Sequence, residues 1–267
     1  MGGSIVFQGT KRMTLGAELC DMHTYMSDSV LANGLKEFKL DNSYHVRVIE
    51  PRRQFHISYN DPARQNAFDV TLTAIMPIAM WPSGRHFEQA MKTRGELTLR
   101  GKRYKVDGYT VRDRSWGEAR SEATAPIPAT GWMTGTFGDD FAFNCNAVDH
   151  PDLNPLWKGG FDVKPEQTLM AGWVWIGGEV VPIASVRKLT HYDRATLYPT
   201  AFEFSVKLAN GRTLEFTGKP LAVCPFNPWI NVNAPICLTE WRCEGRTGYG
   251  EVQDVQWNDF VTRYAQS

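Results

Sequence analysis

Residues 200–219 read "TAFEFSVKLANGRTLEFTGK", and this stretch decides the fold class. Two runs of alternating polarity flank Asn210–Gly211. A period of two places the apolar members of each run on one face of a strand. Asn-Gly is the dipeptide best suited to the positive φ angles of a type I′ turn, so the stretch predicts a β-hairpin.

The same grammar extends in both directions. "SYHVRVIE" (43–50), "RQFHISYN" (53–60) and "FDVTLTAIMPIAM" (68–80) are rich in β-branched and aromatic residues. "GELTLRGKRYKVDGY" (95–109) predicts two short strands around Gly101–Lys102. "ATGWMTGTFGDDFAFNCNAVD" (129–149) turns near Gly138–Asp140, and "AGWVWIGGEVVPIASVRKLTHY" (171–192) turns at Gly177–Gly178. "ICLTEWRCEGRTGYGEVQDVQW" (236–257) supplies a last pair. Helical patterning is poor, and only 21–38 allows one short helix. Residues 149–168 read as a long loop. Strands separated by tight turns predict an all-β protein, an antiparallel barrel or sandwich. The proline-bearing "ATAPIPAT" (123–130) marks the expected boundary between two β units in tandem, 1–122 and 123–267.

Composition narrows the function classes. Twenty-nine basic and 29 acidic residues balance to a formal charge of +0. No global field then draws in nucleic acid or anionic lipid. Five cysteines without a CxxC predict buried thiols, not a disulfide scaffold or zinc site. No run approaches the roughly 20 apolar residues of a membrane span, and "MGGSIVFQGTKRM" lacks a signal-peptide core. The expectation is a cytoplasmic protein acting on a small molecule. P-loop, GxGxxG, GxSxG and HExxH motifs are missing from the sequence, and the scattered histidines show no metal-ligand spacing. No cofactor and no metal are expected.

Three groups carry potential chemistry. In "GRHFEQ" (84–89), His86 and Glu88 lie two apart and share a face if the segment is a strand. In "DGYTVRDRSWGEAR" (107–120), Asp113 stands between Arg112 and Arg114, close to Trp116. An apolar wall would raise its pKa and a paired arginine would lower it. The third group is aromatic: Trp132, Trp157, Trp173, Trp175, Phe226, Trp229, Trp241 and Trp257. Such rings suit a barrel interior that binds an apolar ligand or a developing cation. The plainer readings are a solvated strand end, a structural ion pair and ordinary core packing.

Taken together, "GRHFEQAMKTRGELTLRGKRYKVDGYTVRDRSWGEAR" (84–120) resembles the carotenoid 1,2-hydratase and AttH-like group of lipocalin-like (calycin) proteins. The resemblance rests on a His-x-(aromatic or acid) strand, a hairpin, and an Asp closely followed by Trp-Gly. It implies two lipocalin-like β units, the first one a reduced barrel or one completed by a second subunit of a homo-oligomer. It also implies a cofactor-independent lyase or isomerase: a hydratase, dehydratase or cyclase acting on a terpenoid-like molecule. By this likeness Asp113 donates the proton, His86 is its partner or orients water, and Glu88 tunes the pair. Trp116, Tyr109, Arg112, Trp132, Trp173 and Trp175 would shape the substrate site. Glu88 stands where carotenoid hydratases carry an aromatic residue, which suggests a ligand with a more polar end. A noncatalytic lipid or isoprenoid carrier, and a pericyclase, are the rival readings.

Overall fold

The 200–219 hairpin forms, with a turn of a different kind. Its strands end at Leu208 and resume at Thr213. Only Gly211 has a positive φ, +88°. The Asn210 side chain accepts a hydrogen bond from the Arg212 amide at 3.1 Å, while the Leu208 amide donates to the Arg212 carbonyl at 2.8 Å. Four residues, not two, separate the strands, so a single left-handed residue closes the loop. True left-handed pairs occur at Arg100–Gly101 (+50°, +77°), Gly177–Gly178 (+63°, +83°) and Glu244–Gly245 (+49°, +74°).

The computed structural model describes residues 2–6, 19–23, 28–31, 33–117, 127–154, 160–227 and 231–266. The chain divides into two compact units. The first comprises Met1–Gln8, Gly16–Ile78 and Gln89–Arg112, and the second Gly9–Leu15, Ala79–Glu88 and Asp113–Ser267.

In the first unit β1 (Gly2–Val6) pairs with β2 (Leu19–His23). A curled sheet follows from β3 (Glu37–Lys39), β4 (His45–Glu50), β5 (Gln54–Asp61) and β6 (Asn66–Ala74). Of the 21–38 segment only Asp28–Leu31 is helical, as one 3₁₀ turn. Two more short strands were expected near Gly101. The structure instead has one long hairpin, whose two 14-residue arms meet at the left-handed Arg100–Gly101 pair. After β7 (Ala79–Met80) come β8 (His86–Leu99) and β9 (Lys102–Ser115), which pair with each other. The unit boundary cuts β8 after Glu88 and β9 after Arg112. His86, Glu88 and Asp113 therefore belong to the second unit.

The second unit is a closed antiparallel barrel of eight strands. These are β10 (Thr130–Gly138), β11 (Phe141–Val148), β12 (Leu169–Ile176), β13 (Glu179–Tyr192), β14 (Pro199–Leu208) and β15 (Thr213–Cys224), then, past the short β16 (Val232–Asn233), β17 (Ile236–Cys243) and β18 (Arg246–Trp257). Pairing of β18 with β10 shuts the barrel. Full closure removes the unpaired edges that a sheet would otherwise expose.

The inward rows are filled by their own side chains. Phe141, Phe143, Phe204, Phe216 and Trp241 are buried together, with ring centroids of Phe143, Phe204 and Phe216 about 5 Å from their neighbours. Trp241 fits because Gly135 and Gly218 face it. A Cβ at Gly218 would sit 2.3 Å from Trp241 Cζ3, and one at Gly135 would sit 2.8 Å from Cδ1. Of the aromatics singled out from the sequence, Trp241 belongs to this packed core, the usual content of a small barrel. Along β13 the inward row turns polar. The Lys188 ammonium, wholly buried, bonds Asp149 Oδ1 and Thr190 Oγ1, each at 2.6 Å. An α-helix, α1 (Asn258–Gln266), follows β18 and packs Phe260 and Tyr264 around Tyr192. Cys145, Cys224, Cys237 and Cys243 are buried free thiols.

Candidate functional site

The turn between β7 and β8 places the first catalytic candidate. The Gly84 amide donates to the Trp81 carbonyl (2.9 Å), with Gly84 at φ +66°, and the Trp81 amide donates to the His86 carbonyl (2.8 Å). This tight loop lays the Trp81 indole against the His86 imidazole, with ring centroids 4.0 Å apart at 31°.

From there the strand period acts as the sequence predicts. His86 and Glu88 point to one side, and His86 Nε2 lies 3.2 Å from Glu88 Oε1. The same nitrogen lies 3.3 Å from Asp113 Oδ2. One imidazole N–H is thus shared by two carboxylates. Burial alone would push the His86 pKa down. The hydrogen bond and charge of Asp113, followed by those of Glu88, outweigh it and raise the pKa to about 9. The ring is an imidazolium at neutral pH.

The two carboxylates differ in setting. Glu88 is completely buried. Its Oε1 accepts the Trp132 indole N–H at 2.6 Å and its Oε2 accepts the Trp173 indole N–H at 2.8 Å. Indole is a donor only, so both Glu88 oxygens act as acceptors. The Asp113 side chain is 40% exposed. It is the reachable carboxyl of the pair, and the expectation of a carboxyl sealed from water does not match this placement. His86, Glu88 and Asp113 each offer a ligand-type atom within 4.8 Å of the others, so the geometry could hold a cation.

The barrel wall below this cluster is polar. Trp132 on β10 and Trp173 on β12 lie opposite Asn146 and Asn144 of the intervening β11. Their side chains face outward, because Met133, Phe143, Cys145 and Val174 occupy the inner face. Glu251 on β18 joins the same wall. Burial raises its pKa, the Gln253 hydrogen bond opposes this, and the Asp113 charge adds to the rise.

The remaining predicted residues fall elsewhere. Trp116 is 48% exposed and meets Phe87 edge-on at 6.0 Å. The Trp175 indole donates to the Asp139 carbonyl at 2.9 Å, at the barrel's β10–β11 turn. Tyr109 and Arg112 belong to the first unit, where Lys92 Nζ lies over the Tyr109 ring (4.2 Å) and the Arg112 guanidinium over Phe55 (4.5 Å). Phe226 and Trp257 are half-buried; Trp157 and Trp229 lie outside the described residues, as do residues 123–126 of the 123–130 boundary segment. Sequence reasoning missed Trp81, Asn144 and Glu251. The "WPSGRH" turn signal could have exposed the first, and the Asn144/Asn146 pair at period two the second.

The structure is similar to the crystal structure of kievitone hydratase from Nectria haematococca, with a TM-score of 0.51 and 14% identity. The match covers 84% of this chain and 71% of that one. Identity this low establishes a shared fold and nothing finer, and the resemblance to lipocalin-like hydratases is met at that level. No curated protein sequence matches the chain significantly. Residues 14–260 match the model of a domain of unknown function (DUF7064), and the chain belongs to that family.

Proposed function

We propose that the protein is a hydratase or dehydratase that adds water to, or removes it from, an alkene-bearing small molecule by acid–base catalysis. The observation that carries this reading is the His86 imidazolium clamped between Glu88 and Asp113. Asp113 passes the His86 proton on to the substrate, since it is the carboxyl open to an incoming molecule. His86 resupplies it across 3.3 Å and takes the proton back when water adds to the cation. Glu88, locked by two indole N–H groups, fixes the ring and its charge. A positioned acid contributes about 10²–10⁴-fold to such a step. Fixed dipoles and excluded water account for the rest.

A hydratase is known on the same fold, which supports the reaction class. The substrate is an isoprenoid-like or similarly apolar molecule with one polar end, in keeping with the Trp81 ring set against His86. The test is incubation with a panel of isoprenoid and phenolic alkenes, and their alcohols, in H₂¹⁸O. Hydration yields alcohols 2 Da heavier by mass spectrometry. Unchanged ligand throughout the panel would sink the assignment.

A further inference from the structure

Asn144 is completely buried, yet neither its Nδ2 nor its Oδ1 has a hydrogen-bond partner among the described residues. Leaving both ends of an amide unmet in the interior is expensive, and native proteins rarely do so without reason. Its position supplies the reason. Asn144 lies directly across from Trp173 on one side and Thr134 on the other, and its neighbour on the same face, Asn146, lies across from Trp132. Trp132 and Trp173 reach Glu88 from strands on either side of β11. Strands are spaced about 4.8 Å apart, so a carboxylate that bridges the two outer strands lies over the middle one. That middle strand presents Asn144, and Asn146, whose Oδ1 is likewise unpartnered.

We propose that Asn144 is the oxygen-binding residue of the site: its amide holds the water that is added, or the hydroxyl that is lost. A free donor beside a free acceptor matches a group that both accepts and donates, which a water or alcohol oxygen does and a hydrocarbon does not. Held there, the oxygen lies on the face that Glu88 bridges, and Glu88 holds the His86 that carries the proton. Asn144 is thus a positioning and binding residue, and its reaction role rests on the hydratase reading above.

Two measurements test it. The first is a high-resolution crystal structure of the wild type and of Asn144→Leu. The expected result is an ordered water bonded to both amide atoms of Asn144 and lost in the variant. An amide bonded only to protein groups, or a water sealed off from His86 and Glu88, would overturn the proposal. The second compares stability with ¹⁸O incorporation across the alkene panel. Leucine is nearly isosteric and removes two unmet polar atoms, so Asn144→Leu should melt at the wild-type temperature or above. Its label incorporation should fall about 10–100-fold, the loss of two oriented hydrogen bonds. A lowered melting temperature with full incorporation means a structural amide and refutes the role. Should Asn144→Leu fail to fold, Asn144→Asp, which keeps an acceptor and removes the donor, replaces it with the same expected loss. A wild type that binds the water but incorporates no label retires the hydratase reading and leaves the binding assignment standing.

Discussion

Replacing Asp113 or Glu88 by its amide perturbs His86 by an amount the geometry sets. His86 Nε2 is 3.3 Å from Asp113 Oδ2 and 3.2 Å from Glu88 Oε1, and the two together lift its pKa to about 9 against the pull of burial. A single opposite charge within about 4–6 Å moves a pKa by roughly 1–3 units. Asp113→Asn, which removes the larger contribution, should lower the His86 pKa by about that much. Glu88→Gln should lower it less while destabilising the protein more. Its carboxylate is wholly buried and accepts two indole N–H groups, so an amide NH₂ must confront one of them. Breaking a buried charged network in this way costs about 3–5 kcal/mol. The assay is ¹H–¹³C NMR titration of the His86 ring from pH 5 to 10, alongside urea unfolding. A His86 pKa near 6.5 in the wild type, or one that ignores both substitutions, would refute the clamp.

Three further outcomes follow from the same coordinates. A histidine whose pKa is raised on folding stabilises the native state fully below about pH 6.5, and that contribution is lost as pH rises through about 9. The melting temperature should therefore fall across this window by an amount equivalent to at most about 3 kcal/mol, and His86→Gln should flatten the fall. Gly218→Ala would drive a methyl group into the Trp241 ring, 2.3 Å from Cζ3, and should cost about 1–3 kcal/mol in urea unfolding. Lys188→Met strands the buried Asp149 carboxylate and should cost about 3–5 kcal/mol, with much of it regained when Asp149→Leu is added.

The hairpin grammar was legible because strand alternation and turn chemistry are local. Gly177–Gly178 turns where the sequence places it, and the Asn210–Gly211 loop differs only in length and turn type. His86 and Glu88 were likewise readable as a pair, since two residues apart on a strand means one face. The remaining partners were not readable from spacing. Asp113 lies on the neighbouring strand, and Trp132 and Trp173 reach Glu88 across 44 and 85 residues. Pairing of β9 with β8 brings in Asp113, and the β10–β11–β12 run of the barrel carries the two tryptophans. Of the aromatics singled out from the sequence, Trp241 is packed in the barrel core, while Trp132 and Trp173 on its outer wall serve as hydrogen-bond donors. The terminal helix escaped notice because Phe260 and Tyr264 make up a single buried turn-to-turn pair, too short a stripe for periodicity to stand out.

The most direct measurement is the hydration or dehydration rate of Asp113→Asn on an alkene or alcohol that the wild type converts, taken with its melting temperature. A loss of at least about 10²-fold in a protein that still unfolds cooperatively is the predicted result. Near-normal turnover by a folded Asp113→Asn protein would contradict it.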